Sequence, residues 1–262
     1  NKIVPIGDAG VPVTDLLVQR GYGIFDFLRV AGNKPLFIEA HLDRFFHSAA
    51  TMRLMIPQSR EEIKNIVTTL IEKNRLSYSG IRMIIAGGDA PDGYTIEHPH
   101  LIIIQAPLAE PTLTLPEKGI KLASYNYQRQ IAGVKSTDYL MAIWLQPWMK
   151  DQGADDILYH NNGSIRECPR SNFFLVTDQN VLVTAREDML KGVTRKNIIE
   201  VCKSNGIAVE ERVLSMDELK TAKEAFITSS TKRIIPVHQI DGYAYTLNKP
   251  DSVAKKVYDL LV

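Results

Sequence analysis

The sequence lacks the features that mark secreted, membrane and nucleic-acid-binding proteins. Two cysteines, Cys168 and Cys202, are too few for a disulfide framework. No apolar run approaches the roughly 20 residues that a bilayer-spanning helix needs, and residues 1–5 show no signal-peptide pattern. The formal charge is +1 and basic residues do not cluster, which argues against nucleic acid as the main partner. We therefore expect a cytoplasmic protein that binds small polar ligands.

The six histidines also give no evidence of a metal site, because their spacing matches no typical pattern of metal ligands. The closest pair, His98 and His100, fits a solvated loop, so no metal is predicted. What remains is an ordinary globular composition, with 45% hydrophobic and 23% charged residues in a chain of 262 residues. That length allows two modest domains.

Apolar periodicity predicts an α/β or α+β chain. The helices are predicted over residues 41–54, 61–74, 138–150, 193–204 and 249–261, with a short one near 215–220. The strands are predicted over residues 81–86, 101–106, 120–125, 155–160, 172–177, 181–184, 207–213, 225–229 and 234–240. Prolines at positions 107, 111 and 116 favour an extended connection. We therefore predict a small domain over residues 1–106, a linker over 107–118 and a larger domain over 119–262.

Lys135 is a candidate nucleophile. It lies between an apolar stretch and a predicted helix start, where desolvation lowers the pKa of an amine and favours Schiff-base formation. The alternative is a surface lysine beside a helix cap, and the local sequence alone favours that alternative.

Glu167 follows a predicted hairpin turn at Asn161–Gly163 and could face inward to hold a cationic ring nitrogen. An ion pair with Arg166 or Arg170 explains its position equally well.

Three segments could bind phosphate. Gly192, Val193 and Thr194 open a predicted helix, whose free amides suit an anion. Residues 228–231 offer hydroxyl groups after a strand, and Arg44 could bind an anion through its planar fork. Caps, turns and snorkelling surface side chains explain each segment just as simply.

Six motifs, taken in order, resemble the class IV (fold-type IV) pyridoxal-phosphate aminotransferases. They are R-G-Y-G-I-F-D-F-L-R at 20–29, H-L-D-R-F at 41–45, K-S-T-D-Y at 135–139, E-C-P-R-S-N-F-F at 167–174, L-K-G-V-T-R at 190–195 and T-S-S-T at 228–231. The resemblance implies pyridoxal phosphate as cofactor, placed between two domains, the larger with a distorted barrel-like sheet. It also implies a homodimer that acts on an amino acid and a 2-oxo acid.

The resemblance also assigns roles. Lys135 matches the Schiff-base lysine, and Glu167 matches the acid that pairs with the pyridine nitrogen and keeps the ring electron-accepting. Tyr139 matches a residue that reaches the cofactor's phenolic oxygen. The phosphate cradle corresponds to Arg44, Val193, Thr194, Ser230 and Thr231.

Departures from the family bear on the substrate. Arg20 replaces a tyrosine of the branched-chain enzymes, and with Arg82 it could bind a substrate carboxylate through two guanidinium groups. This resembles D-amino-acid aminotransferases that use an arginine pair. The alternative is that Arg82 is shared with branched-chain enzymes and Arg20 braces a loop. Lys232 and Arg233 replace an acidic stretch, which the sequence does not explain.

Three other functions remain open. A branched-chain L-amino-acid aminotransferase is the first, and aminodeoxychorismate lyase is the second. The lyase uses a threonine near the position of Asp26, so an acid there disfavours it. The third is a non-catalytic relative, which the presence of both Lys135 and Glu167 disfavours.

Overall fold

The fold comes from a computed structural model that describes residues 2–110, 114–247 and 250–261. The chain divides into two compact units, the first made of Asn1–Glu110 with Val134–Asp138 and the second of Pro111–Gly133 with Tyr139–Val262. The sequence-based boundaries put residues 134–138 in the second domain, whereas this segment groups with the first unit. Residues 111–113 of the predicted linker lie outside the described residues, and the linker stays a prediction.

The first unit combines helices with an antiparallel sheet. Its elements are α1 (Leu16–Arg20), β1 (Gly23–Ala31), β2 (Lys34–Pro35), α2 (Ile38–Thr51), α3 (Arg60–Asn74), β3 (Tyr78–Ala86) and β4 (His100–Pro107), after a 3-10 turn at Ile6–Asp8. Helix α3 begins with a capping box, in which Ser59 and Glu62 satisfy each other's backbone amides. Asp15 caps α1 through the amide of Leu17, 2.7 Å away.

The sheet of the first unit has the order β2-β1-β3-β4. Alternate residues of its strands, such as Ile24 and Met83, join Leu42 of α2 and Ile63 of α3 in a buried core. The other alternate residues, among them Phe25, point to the opposite face.

Residues 134–138 pair with the start of β1 in the first unit. The amide of Phe25 donates to the carbonyl of Lys135 and that of Thr137 to the carbonyl of Gly23, each at 2.9 Å. Lys135 therefore sits on an extended segment that is fixed by backbone hydrogen bonds.

The second unit is built on a larger mixed sheet. Its strands are β5 (Ile120–Asn126), β6 (Asp156–Asn161), β7 (Ser164–Ile165), β8 (Glu167–Cys168), β9 (Ser171–Val176), β10 (Leu182–Ala185), β11 (Val209–Arg212), β12 (Glu224–Ser229), β13 (Arg233–Ile240) and β14 (Tyr243–Ala244). Its helices are α4 (Leu140–Trp144), α5 (Gln146–Asp151), α6 (Val193–Ser204) and α7 (Val253–Leu260), with a 3-10 helix at Met216–Lys220.

The main path of this sheet runs β11-β10-β9-β12-β13-β5-β6-β7, with β8 paired to β9 and β14 to β13. One face carries Phe173 and Leu158 in a buried cluster, and the other carries Phe174, which packs with Ile198 of α6 and Val257 of α7. Because both faces are covered, the central strand β9 is buried at every position. Its ends are therefore well placed to hold functional side chains rigidly.

The mixed α/β class predicted from the sequence is confirmed, and most predicted elements are present within a few residues. The single helix predicted over 138–150 is wrong, because it divides at Leu145 into α4 and α5. Pro147 lies in the first turn of α5, where its missing amide costs no helical hydrogen bond. In the described part of the chain, none of the helices has the length and hydropathy to cross a bilayer.

Candidate active site

Lys135 and Arg82 share one aromatic ring in the first unit. The Lys135 Nζ lies 4.5 Å from the centroid of Phe25, and the Arg82 guanidinium lies 5.2 Å from the same centroid. Both distances are within cation–π range. The structure thus brings the predicted nucleophile and one predicted substrate-binding arginine to one ring.

Asp26, the neighbour of Phe25, points the other way, into the core of the first unit. Its carboxylate is fully buried and accepts hydrogen bonds from Nε and Nη2 of Arg44, both at 2.8 Å. It also accepts from Nδ1 of His41 and from the amide of Phe27, both at 2.7 Å. A carboxylate only accepts, so the His41 proton sits on Nδ1. Arg44 is therefore held side-on by Asp26, and not on the solvated surface.

Burial and charge act in opposite directions on these groups. Burial alone would raise the pKa of Asp26, but Arg44 and His41 outweigh it and lower that pKa well below its ordinary value. Burial lowers the pKa of His41, and the charges of Arg44 and Lys135 act in the same direction, against the opposing effect of Asp26. The first unit therefore contains an ionised carboxylate beside a histidine that resists protonation.

Arg20 contacts a different segment of the first unit. It ends α1, its Nε donates to the carbonyl of Gly93 at 3.1 Å, and its Nη1 donates to the carbonyl of Gln19 at 3.1 Å. Among the described residues of the first unit, the structure shows no contact between Arg20 and Arg82. Arg20 braces the loop that contains Gly93, and the arginine pair predicted from the sequence stays a prediction.

Glu167 is a buried carboxylate of the second unit. Its Oε1 accepts from the guanidinium of Arg129 at 2.8 Å, and its Oε2 accepts from the amide of Leu190 at 3.1 Å. Arg166, which the sequence offered as an alternative partner for Glu167, pairs with Asp188 at 3.0 Å. The structure thus fixes both oxygens of Glu167 from flanking segments.

The N-terminus of α6 lies next to the strand that faces Glu167. Asn172 pairs with Glu167 across β8 and β9, and its side-chain amide donates to the carbonyl of Leu190 at 2.7 Å. A Cβ at Gly192 would lie 2.2 Å from Oδ1 of Asn172, so only glycine fits there. Gly192 caps α6 without a side-chain hydrogen bond. The amides of Val193 and Thr194 therefore open the helix without a side-chain cap.

The turn after β12 is the second phosphate candidate in this unit. Thr228 stands opposite Asn172 in the β9–β12 ladder, which links this turn to the N-terminus of α6. The Ser229 hydroxyl lies 3.4 Å from that of Thr231 and accepts from the amide of Lys232 at 3.2 Å. Ser230 is partly exposed and Thr231 is exposed. The second unit thus brings Glu167, the start of α6 and these hydroxyls together through β9.

Lys232, which the sequence left unexplained, has a structural role in this turn. Its Nζ pairs at 3.1 Å with Asp156, a carboxylate in β6 that is 6% exposed. The lysine therefore ties the turn to another strand of the same sheet. Tyr139, the remaining predicted cofactor residue, is the N-cap of α4 and is partly exposed.

The side chains present fit pyridoxal phosphate. The start of α6 and the hydroxyl turn suit its phosphate, and the buried Glu167 suits its ring nitrogen. The amine of Lys135 suits its aldehyde. The described residues contain no group of His, Cys, Asp and Glu arranged to hold a metal ion.

Sequence reasoning missed the residues that hold these groups in place. Arg129 belongs to none of the six motifs, and its partner Glu167 lies 38 residues further along the chain. His41 and Asp26 stood inside recognised motifs, but nothing in the sequence showed that they contact Arg44. The spacing from His41 to Arg44, one helical turn, was the available signal.

Comparisons with known proteins agree with this chemistry. The model of the family described as amino-transferase class IV matches residues 23–240. A D-alanine aminotransferase of Listeria monocytogenes is 27% identical, with 100% of this chain and 93% of the relative aligned. A branched-chain-amino-acid aminotransferase of Pseudomonas aeruginosa is 25% identical, with 98% and 88% aligned. The crystal structure of the Escherichia coli branched-chain aminotransferase is similar with a TM-score of 0.86 and 28% identity, covering 98% of this chain and 90% of that one.

Proposed function

Because the match over residues 23–240 shows that the chain belongs to the class IV aminotransferases, we propose that it transfers the amino group of a D-amino acid to a 2-oxo acid. The aminotransferase class, the fold-type IV architecture and the pyridoxal-phosphate cofactor follow from family membership, as the sequence predicted. The proposed part is the donor, of the D-alanine and D-glutamate class, with an acceptor such as 2-oxoglutarate.

The bound cofactor supplies an aldehyde that carries the amino group and a ring that accepts electrons. In this proposal the Nζ of Lys135 would hold the cofactor at its aldehyde carbon and would take the proton from the α-carbon of the amino acid. The backbone pairing of residues 134–138 with β1 fixes the origin of this side chain. The Phe25 ring then limits where its amine can move.

Glu167 and the phosphate residues hold the cofactor in this proposal. Glu167 would accept a hydrogen bond from the protonated ring nitrogen and so would favour the electron-accepting form. The phosphate would be bound by the amides of Val193 and Thr194, the hydroxyls of Ser230 and Thr231 and the Arg44 guanidinium. Tyr139 would contact the phenolic oxygen.

One observation carries the proposal for an amino acid with a free carboxylate: Arg82 and Lys135 lie over the same ring. A substrate whose amino group reaches Lys135 would bring its α-carboxylate near a guanidinium, which binds carboxylates bidentately. Arg20, in place of the tyrosine of branched-chain enzymes, supports a D-amino acid. In this proposal Arg20, whose Nε also donates to the carbonyl of Gly93, binds the same substrate carboxylate as Arg82.

The branched-chain L-amino-acid reaction is the second candidate. Curated branched-chain enzymes align with 98% of this chain at an identity close to that of the D-alanine enzymes. The lyase reaction on aminodeoxychorismate is less well supported, because Asp26 is occupied by Arg44 and His41. We also propose a reducing, cytoplasmic location, supported by two free, buried cysteines.

The experiment is a half-reaction on the purified protein in its cofactor-bound, yellow form. D-alanine, L-alanine, D-glutamate, L-glutamate and L-leucine are added separately, and the loss of cofactor absorbance is followed by stopped-flow. We expect D-alanine and D-glutamate to bleach the protein fastest. Faster bleaching by L-leucine would replace the proposal with the branched-chain reaction, and no bleaching by any amino acid would contradict transamination of these donors.

A further inference from the structure

The guanidinium of Arg44 has two hydrogen-bonding edges, and Asp26 binds one of them. Arg44 uses one edge of its fork, Nε with Nη2, for the Asp26 carboxylate. The opposite edge, formed by Nη1 and the second hydrogen of Nη2, is a further bidentate donor. Among the described residues, no acceptor contacts Nη1 of Arg44, and the side chain is 11% exposed.

From this geometry we infer that Asp26 is a positioning residue, which acts through Arg44 on the phosphate of the cofactor. The inference rests on the proposed role of Arg44 as a phosphate ligand. Asp26 itself does not touch the phosphate, because its carboxylate is fully buried and occupied by donors of its own unit.

The physical reason is the conformational freedom of an arginine. A free arginine side chain loses much rotamer entropy when it binds a ligand, and a side chain already held in the bound geometry loses less. Asp26 fixes the Arg44 guanidinium at two nitrogen atoms. His41 and the amide of Phe27 fix Asp26 in turn.

Charge makes this arrangement more than a packing contact. Removing the Asp26 carboxylate would leave the Arg44 cation partly buried and without its counterion, free to reorient toward other acceptors. The phosphate would then have to order the guanidinium itself. Asparagine is the sharpest substitution, because its amide keeps the size of the side chain and can accept only through one oxygen.

The readout is the contribution of the phosphate to binding, which a general structural change does not alter. Full-length apoprotein is titrated with pyridoxal phosphate and with pyridoxal, which lacks the phosphate. The ratio is the dissociation constant of pyridoxal divided by that of pyridoxal phosphate. In Asp26→Asn we expect this ratio to fall by about 10- to 100-fold through weaker binding of pyridoxal phosphate, while pyridoxal binding changes little.

Four variants control the experiment. Leu42→Ala removes a fully buried side chain from the same helix as Arg44 and should lower the melting temperature without changing the ratio. Arg44→Gln should lower the ratio by itself, and adding Asp26→Asn to it should cause no further loss, because the carboxylate acts through Arg44. Asp26→Glu, which displaces the carboxylate by one methylene, takes the place of Asp26→Asn if that variant does not fold.

The outcomes are distinguishable. An unchanged ratio in a folded Asp26→Asn variant overturns the inference and leaves the proposed function intact. Additive losses in the double variant also overturn it, because Asp26 would then act independently of Arg44. If the wild type does not prefer pyridoxal phosphate to pyridoxal, the phosphate role of Arg44 fails first, and the inference fails with it.

Discussion

Asp26 in the first unit and Glu167 in the second are both buried carboxylates held by an arginine. In our proposal the two pairs differ in which member binds the ligand, the arginine or the carboxylate. Asp26 is enclosed by Arg44, His41 and a backbone amide, so its arginine presents the remaining hydrogen-bonding edge. Glu167 is held by Arg129 and the Leu190 amide. In our proposal, Glu167 itself binds the ligand and Arg129 supports it.

The comparison shows that the two residue types in an ion pair do not determine which of them binds the ligand. A carboxylate oxygen accepts more than one hydrogen bond, so an arginine can hold it and still leave capacity for a ligand. The geometry decides which partner supports and which one binds. Substitutions at the two carboxylates should therefore have opposite kinetic signatures: Asp26→Asn should weaken cofactor binding, and a change at Glu167 should slow the chemistry.

The largest effect should come from Lys135, which neither ion pair can replace. Lys135→Ala should abolish transamination, because it removes the amine that is proposed to take the α-proton. The measurement is turnover of the purified variant, reconstituted with pyridoxal phosphate. The control is Lys150→Ala, an exposed lysine of α5. Turnover within about tenfold of the wild type would contradict the assignment.

Glu167→Gln tests the second half of the comparison. The neutral amide should bind the cofactor but no longer favour the protonated ring, and proton abstraction should slow by roughly 10²-fold. Glu211→Gln removes a carboxylate that pairs with Arg195 in the same unit, and it serves as the matched control. Stopped-flow bleaching by the best donor gives the rate. If Glu167→Gln instead loses cofactor at an unchanged bleaching rate, the two carboxylates have the same role and the comparison fails.

Arg82 and Arg20 test whether arginine also binds the substrate. Loss of one charge-assisted contact costs about 1.5–3 kcal/mol, so Arg82→Ala and Arg20→Ala should each lower kcat/KM for D-glutamate by roughly 10- to 150-fold. The double variant should be non-additive, because both guanidiniums bind one carboxylate. Arg60→Ala, which removes a surface ion pair with Asp43, is the control. If the wild type prefers L-leucine and both variants keep that activity, the D-amino-acid proposal is wrong.

The smallest effect concerns the pH dependence of stability in the first unit. Since folding lowers the pKa of His41, the folded state takes up fewer protons than the unfolded chain as the pH falls. The folded state therefore loses stability below the ordinary histidine pKa near 6.5. His41→Asn, whose amide can still donate to Asp26, should flatten the decline in melting temperature between about pH 7 and pH 5. His47→Asn, at an exposed position of the same helix, should leave the decline unchanged.

The sequence predicted the fold class and the cofactor well, for a physical reason. Periodic elements such as α3 and buried strands such as β4 depend on local patterns, and the family motifs lie on them. The sequence could not predict Arg129 beside Glu167 or Lys232 beside Asp156, because each pair joins a residue outside the strands to a strand residue far from it in the sequence. Strand β1 was also missed, since its alternation is interrupted by the buried Asp26. The assigned catalytic and binding roles stay predictions until the variants are measured.

The pairing of residues 134–138 with β1 has a consequence for how the protein is made. The hydroxyl of Thr137 contacts the carbonyl of Gly23, 114 residues earlier in the chain. A ribosome must therefore release residue 138 before the first unit can complete its own sheet, although the rest of that unit has been synthesised by residue 110. Closing so long a loop is entropically costly and slow. The first unit therefore cannot be completed until the segment that carries Lys135 has been synthesised, and a truncated product that ends before this segment lacks both the completed sheet edge and Lys135.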